Sequence, residues 1–173
     1  MKIICTCGKI GAGKTTYAEK LIQNIGAVYL GADELMCALY GSDSNGEAYD
    51  LAYNIIIEYL MCKATEIAHV GATVVLERGL WTKQTRQICR EFFESKGFDY
   101  ELHFIDVSDE QWAKQIDKRN REISENGEMS VSIEDSILSQ CREQFEPPTE
   151  DEYDVHILDG VRLKGHKLVL ITD

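Results

Sequence analysis

Hydrophobic and polar positions follow two periods along this chain, with short apolar runs separated by longer stretches of helical spacing. The short β-rich runs predict five strands, at Ile3 to Thr6, Ala27 to Leu30, Thr73 to Glu77, Tyr100 to Asp106 and Val155 to Leu158. A weaker sixth run at Leu168 to Ile171 is a candidate antiparallel edge strand. Strands that alternate with helices predict an α/β fold, in which a parallel sheet carries helices on both faces.

The stretches between the strands carry apolar residues at helical spacing. This pattern predicts a helix between Glu47 and His69 and another after Thr82. Ser108, with Gln111 three residues later, has the form of a capping box, which predicts a further helix from there to about Glu122.

Composition narrows the class of protein. A length of 173 residues, 44% of them hydrophobic, suits one well-buried core, so we expect a single domain over residues 1–173. The net charge of −12 repels phosphate polymers, which makes nucleic acid a disfavoured partner. No apolar run approaches the roughly 20 residues of a membrane-spanning helix. Since a glycine-rich segment already begins at residue 8, we expect no leader and a cytoplasmic protein, with its six cysteines reduced.

The glycine-rich segment carries the most specific chemistry in the sequence. It matches the pattern G-x-x-x-x-G-K-[ST] between a predicted strand and a helix that begins near Gly13. In such a loop the backbone N–H groups surround a phosphate, the lysine reaches the β- and γ-oxygens, and the threonine ligates magnesium. The sequence therefore predicts that ATP and Mg²⁺ bind at Gly8, Lys9, Ile10, Gly11, Ala12, Gly13, Lys14, Thr15 and Thr16.

Four weaker motifs accompany the loop: Gly31-Ala32-Asp33, the segment from Leu76 to Trp81, Lys118-Arg119-Asn120-Arg121 and Phe145-Glu146-Pro147-Pro148. With the loop, they make the chain resemble the small P-loop kinases of the adenylate-kinase-like class, particularly the ATP-binding kinases related to polynucleotide 5′-kinase and to zeta-toxin-like phosphotransferases. The resemblance extends to about residue 155. It implies a P-loop NTPase fold with a parallel five-stranded sheet and a helical lid at approximately residues 108–145.

Two acidic residues stand at the predicted ends of strands two and three, where ligands of open parallel sheets bind. Asp33 resembles the family's aspartate that activates the acceptor hydroxyl; alternatively, it is the N-cap of a helix that starts at Glu34. Glu77 resembles the acidic residue that supports the magnesium water shell, although relatives generally carry aspartate there. An ion pair with Arg78 or with another base is the alternative for Glu77.

Arg119 falls on an apolar stripe of the predicted lid helix, together with Trp112, Ile116 and Ile123. The resemblance implies that a lid arginine contacts ATP and neutralises charge on the transferring phosphate, with Arg119 as first choice and Arg121 as second. The alternative is an arginine whose stem covers the edge of the core while its head reaches solvent or a carboxylate.

Arg78, Trp81 and Arg86 follow strand three, where relatives build the acceptor pocket. A flat aromatic beside two cations suits a ring-bearing or anionic acceptor. Alternatively, Trp81 packs in the core and Arg86 is an exposed helix residue.

These residues lead to a phosphotransferase hypothesis, in which the γ-phosphate of ATP moves to a hydroxyl of a small-molecule acceptor activated by Asp33. Two alternatives remain at this point. One is an ATP-binding regulatory or assembly module with little transfer activity, and the other is a nucleic-acid 5′-hydroxyl kinase, which the net charge disfavours.

Overall fold

The computed structural model describes residues 1–41, 46–126 and 135–164. Within these ranges, six strands form a single sheet: β1 (Lys2–Cys7), β2 (Val28–Gly31), β3 (Val74–Glu77), β4 (Asp99–Asp106), β5 (Val155–Leu158) and β6 (Val161–Lys164). Their order across the sheet is β2-β3-β1-β4-β5-β6. The first five strands run parallel and β6 is antiparallel to β5, which confirms the predicted fold class.

Six helices lie within the same described ranges: α1 (Lys14–Ile25), α2 (Ala32–Tyr40), α3 (Glu47–His69), α4 (Lys83–Glu94), α5 (Asp109–Asn126) and α6 (Asp135–Gln144). The predicted bounds of α3 are confirmed, and α5 continues one turn beyond the predicted end. At the start of α5, the backbone N–H of Gln111 donates to Ser108 Oγ at 3.4 Å, which is the N-terminal half of the predicted capping box.

The described residues contain an antiparallel edge strand, β6, that was not predicted. The expected run, Leu168 to Ile171, is outside the described residues, and the observed edge strand follows β5 after a two-residue turn. Asp159 and Gly160 form that turn with φ values of 49° and 82°, the conformation that favours an Asp-Gly pair in tight hairpins. This dipeptide was a sequence signal for the hairpin that the hydrophobic pattern alone does not reveal.

Alternation along β1 distributes the core over both faces of the sheet. Ile3, Cys5 and Cys7 point to the face covered by α3 and α4, whereas Ile4 points to the face covered by α1. All six cysteines are free thiols, and Cys5 and Cys7 share a face. Across the described ranges, no helix combines the length and apolarity needed to span a membrane.

Candidate functional site

The glycine-rich segment forms the connection between β1 and α1, at the carboxyl edge of the sheet. A Cβ atom at Gly8 would overlap the backbone carbonyl oxygen of Ile105 on β4, so this position requires glycine. Gly13 is the N-cap of α1 and adopts a left-handed conformation with φ of 89°, which a side chain would strain. The two glycines therefore allow the loop to pass close to β4 and to turn directly into the first turn of α1.

Two polar side chains at the end of this loop are held in place by hydrogen bonds. Lys14 Nζ donates to the carbonyl oxygens of Lys9 at 3.1 Å and Gly8 at 3.3 Å, which holds its ammonium over the loop. Thr15 Oγ1 donates to Glu77 Oε1 at 3.3 Å and so links the first turn of α1 to the end of β3.

Glu77 is buried, with 5% exposure, and its two carboxylate oxygens bind different hydroxyls. Oε1 accepts from Thr15, and Oε2 accepts from the hydroxyl of Tyr29 at 2.8 Å. Burial and the neighbouring Glu77 carboxylate raise the pKa of Tyr29 well above its ordinary value, so the hydroxyl keeps its proton at neutral pH. The alternative of an ion pair with Arg78 or another base is wrong within the described residues, where the partners of Glu77 are these two hydroxyls.

The Tyr29 ring reaches Glu77 across Gly31, which pairs with Glu77 in the register of β2 and β3. A Cβ atom at Gly31 would lie 2.8 Å from ring carbons of Tyr29, so the glycine leaves room for the ring. Tyr29 was not among the predicted site residues. Its sequence signal was its position two residues before Gly31 on the same strand, because residues two apart on a strand share a face.

Asp33 is exposed and occupies the second position of α2. The alternative role as an N-cap is wrong, because the helix starts at Ala32 and Gly31 occupies the cap position without a side-chain hydrogen bond. In the first turn, the carboxylate of Asp33 lies where the helix dipole favours negative charge.

The first turn of α5 is attached to the phosphate loop. The indole N–H of Trp112 donates to the carbonyl oxygen of Ile10 at 2.7 Å, and the Lys9 ammonium lies 4.9 Å from the centre of the Trp112 ring. Trp112 and Ile116 are buried, as the apolar stripe predicts, while the side chain of Ile123 lies outside the described part. Arg119, two turns beyond Trp112, is half-buried.

A cavity of about 670 Å³ brings most of these groups together. It is lined by the loop from Ile10 to Thr16, by the carboxylates of Asp33 and Glu77, and by α5 residues that include Arg119. Lys20 and Lys118 add two further cations to its wall. Of the predicted acceptor residues, Arg78, Trp81 and Arg86 do not line this cavity.

Arg86 is a structural cation, so both sequence interpretations of it are corrected. Its side chain is 3% exposed; Nε donates to Glu152 Oε2 at 2.8 Å and Nη2 to Glu152 Oε1 at 3.3 Å. Nη1 donates to the carbonyl oxygen of Glu146 at 2.8 Å. The guanidinium thus attaches the segment from 146 to 152 to α4 rather than facing an acceptor.

Trp81 is half-buried and packs against the core on the α3 and α4 face, in agreement with its packing alternative. Its carbonyl oxygen accepts from the backbone N–H of Glu146 at 2.9 Å. Arg121, the second choice among the lid arginines, is exposed, and its Nε donates to the carbonyl oxygen of Asp117 at 3.2 Å.

Comparisons with known proteins identify the family and the fold. Residues 3–148 match the family described as AAA domain. No curated protein sequence matches the chain. An unliganded sugar kinase structure from a Janibacter species is 16% identical, with 91% of this chain and 84% of that chain covered and a TM-score of 0.61.

Two further structures show the same fold. An APS kinase from Mycobacterium tuberculosis, in complex with AMPPNP and APS, is 19% identical, with coverages of 91% and 88% and a TM-score of 0.62. The Pnkp1/Rnl/Hen1 RNA repair complex contains a chain that is 18% identical, with coverages of 84% and 46% and a TM-score of 0.62. The chain belongs to the AAA domain family and has the fold of the small P-loop kinases.

Proposed function

We propose that this chain is an ATP-dependent phosphotransferase that moves the γ-phosphate to a hydroxyl of a small-molecule acceptor. The observation that carries the proposal is the shared cavity, whose wall contains Lys14, Thr15, Asp33, Glu77 and Arg119. Phosphoryl transfer requires a loop that surrounds the phosphates and oxygen atoms that can ligate the metal. It also requires a carboxylate that can accept the proton of the acceptor hydroxyl and a cation that neutralises charge on the transferring phosphate.

The residues present fit a magnesium–ATP complex. The close passage of Gly8 over Ile105 leaves space that a side chain would fill, and the N-terminus of α1 favours anions. Thr15 and Glu77, which share a hydrogen bond of 3.3 Å, offer the hard oxygen atoms that Mg²⁺ prefers. When bound, the metal would neutralise charge on the phosphate oxygens.

In this proposal each side chain has a separate task. Lys14 binds the β- and γ-oxygens, and the Asp33 carboxylate orients the acceptor hydroxyl and accepts its proton. Arg119 stabilises the charge on the phosphoryl group as it transfers. Lys20 and Lys118 add positive charge to the cavity, which favours binding of the ATP triphosphate although the protein has a net charge of −12.

The test is acceptor phosphorylation measured with ATP against a panel of nucleosides, sugars and aminoglycoside-like alcohols. Asp33→Asn should lower kcat by about 10²- to 10⁴-fold with little change in ATP affinity, because it removes the proton acceptor. Glu34→Gln is the matched control, since Glu34 is an exposed acid in the same helical turn and does not line the cavity.

Three outcomes would contradict parts of the proposal. Full transfer by Asp33→Asn would overturn the role of that carboxylate. Tight ATP binding without transfer to any acceptor would favour a regulatory or assembly module. Transfer restricted to 5′-hydroxyls of RNA or DNA would identify a nucleic-acid kinase instead.

A further inference from the structure

A buried hydroxyl lies near the end of β1, directly before the phosphate loop. Thr6 is fully buried, and its Oγ1 has no hydrogen-bond partner among the described residues. The chain continues from Thr6 through Cys7 into the loop at Gly8. Because a buried hydroxyl without a partner is costly, the Thr6 site is suited to a small polar molecule.

The side chain of Thr6 points to the face of the sheet that α1 covers. Alternation along β1 places it on the same face as Ile4, which packs in the cluster beneath α1. In the register of the sheet, Thr6 pairs with Glu77 of β3 on one side and with His103 of β4 on the other. Paired residues of parallel strands share a face, so Glu77, Thr6 and His103 form a polar row across three strands.

His103 uses both of its ring nitrogens in other contacts. Its Nδ1 shares a hydrogen bond of 2.7 Å with the hydroxyl of Tyr17, and its Nε2 lies 3.1 Å from Glu101 Oε2. The imidazole is therefore committed to these two groups, and Thr6 depends on the opposite side of the row.

Glu77, on that opposite side, has acceptor capacity left. Its two oxygens each accept one hydroxyl, from Thr15 and from Tyr29, whereas a carboxylate offers about four lone-pair positions. Neighbouring strands lie about 4.8 Å apart, which is too far for a direct hydrogen bond but suits one water with two bonds of about 2.8 Å.

We propose that a buried water bridges Thr6 Oγ1 and the Glu77 carboxylate, which makes Thr6 a positioning residue for Glu77. This inference rests on the proposed function, in which Glu77 and Thr15 offer oxygen atoms to Mg²⁺. Buried waters are held by polar groups that lack other partners, and the Thr6 hydroxyl is such a group. The carboxylate is then held from α1, from β2 and from the strand that leads into the phosphate loop.

Thr6→Val tests the water because it replaces the hydroxyl with a methyl group at nearly constant volume. Removal of a hydroxyl that binds nothing would raise the melting temperature. Removal of one that binds the water should instead lower it by about 2–4 °C. Calorimetry should show about 10-fold weaker Mg²⁺ binding to the AMPPNP-loaded variant and unchanged AMPPNP binding in EDTA.

Two further variants serve as controls. Thr6→Ser retains the hydroxyl and should keep the Mg²⁺ affinity within about threefold of the wild type. Thr73→Val makes the same substitution immediately before β3, at a residue that does not line the cavity, and should leave the Mg²⁺ affinity unchanged.

A double-mutant cycle shows whether Thr6 acts through Glu77. Glu77→Gln alone should already weaken Mg²⁺ binding, and the addition of Thr6→Val should then change the affinity less than about threefold. An equal loss from Thr6→Val in both backgrounds would overturn the positioning role.

The outcomes separate this inference from the proposed function. A higher melting temperature or an unchanged Mg²⁺ affinity in Thr6→Val would overturn the inference and leave the kinase intact. Failure of the wild type to bind AMPPNP with Mg²⁺ would contradict the proposed function. A crystal structure of the nucleotide-free protein then decides the inference, which requires a water within about 3 Å of both Thr6 Oγ1 and a Glu77 oxygen and fails without one.

Discussion

At the scale of single residues, the Glu77 carboxylate is held by two hydroxyl donors from different elements. A glutamate places its carboxylate one methylene farther from the strand than an aspartate at the same position would. Tyr29 from β2 and Thr15 from α1 each take one oxygen, at 2.8 Å and 3.3 Å. The longer side chain is therefore oriented by its neighbours rather than by its backbone, which predicts that Tyr29 is a positioning residue.

The variant Tyr29→Phe tests this expectation. Removal of the hydroxyl leaves Glu77 Oε2 without its donor, and loss of such an outer partner typically lowers metal affinity about 10- to 100-fold. Calorimetry should show weaker Mg²⁺ binding to the ATP-loaded protein and unchanged ATP binding in EDTA. Tyr59→Phe, on the exposed side of α3, is the control. An equal loss of ATP affinity with and without Mg²⁺ would indicate a merely structural role.

At the scale of elements, α4 and the segment from 146 to 152 act as one unit because Arg86 joins them. Arg86→Gln removes one partner of a buried ion pair and leaves the Glu152 carboxylate unpaired, so it should lower the free energy of unfolding by about 3–5 kcal/mol. Urea unfolding measures the change. Lys114→Gln breaks an exposed pair with Glu110 and should cost less than about 1 kcal/mol. Similar losses in the two variants would refute a structural role for Arg86.

The elements also show how far sequence reasoning reaches. The five parallel strands and the loop were predictable because β-branched runs and a spaced glycine pattern are local signals. The burial of Arg86 had a local signal too, since it shares a helical stripe with Cys89 and Phe93, both buried. Its partner Glu152 lies 66 positions away, however, and no local pattern connects the two. The contacts of Tyr29 likewise depend on how separate elements meet.

At the scale of the whole molecule, the Arg86–Glu152 pair makes stability depend on acidity. Partial burial acts to raise the pKa of Glu152, but hydrogen bonds from Arg86 and Thr149 lower it from 4.5 to about 2. Because the pKa is lower in the folded protein, the stabilisation is complete above pH 4.5 and declines as the pH falls toward 2.

The free energy of unfolding of the wild type, measured in urea, should therefore fall between pH 6 and pH 2. It should fall less in the variant Glu152→Gln. At neutral pH the variant should have the lower free energy of unfolding. The difference from the wild type should disappear as Glu152 of the wild type is protonated. Glu110→Gln, on the exposed side of α5, should leave the pH profile unchanged. Parallel profiles for the wild type and Glu152→Gln would contradict the lowered pKa.

The attachment of α5 to the phosphate loop has a mechanical consequence. The Trp112 indole is hydrogen-bonded to Ile10, and its ring lies near Lys9 on one side and 5.2 Å from the Arg142 guanidinium of α6. Because these contacts fix the first turn of α5 against the loop, the position of Arg119 relative to the loop is set by the two helical turns that separate it from Trp112. Loss of the indole should therefore displace Arg119 as well as the first turn of α5.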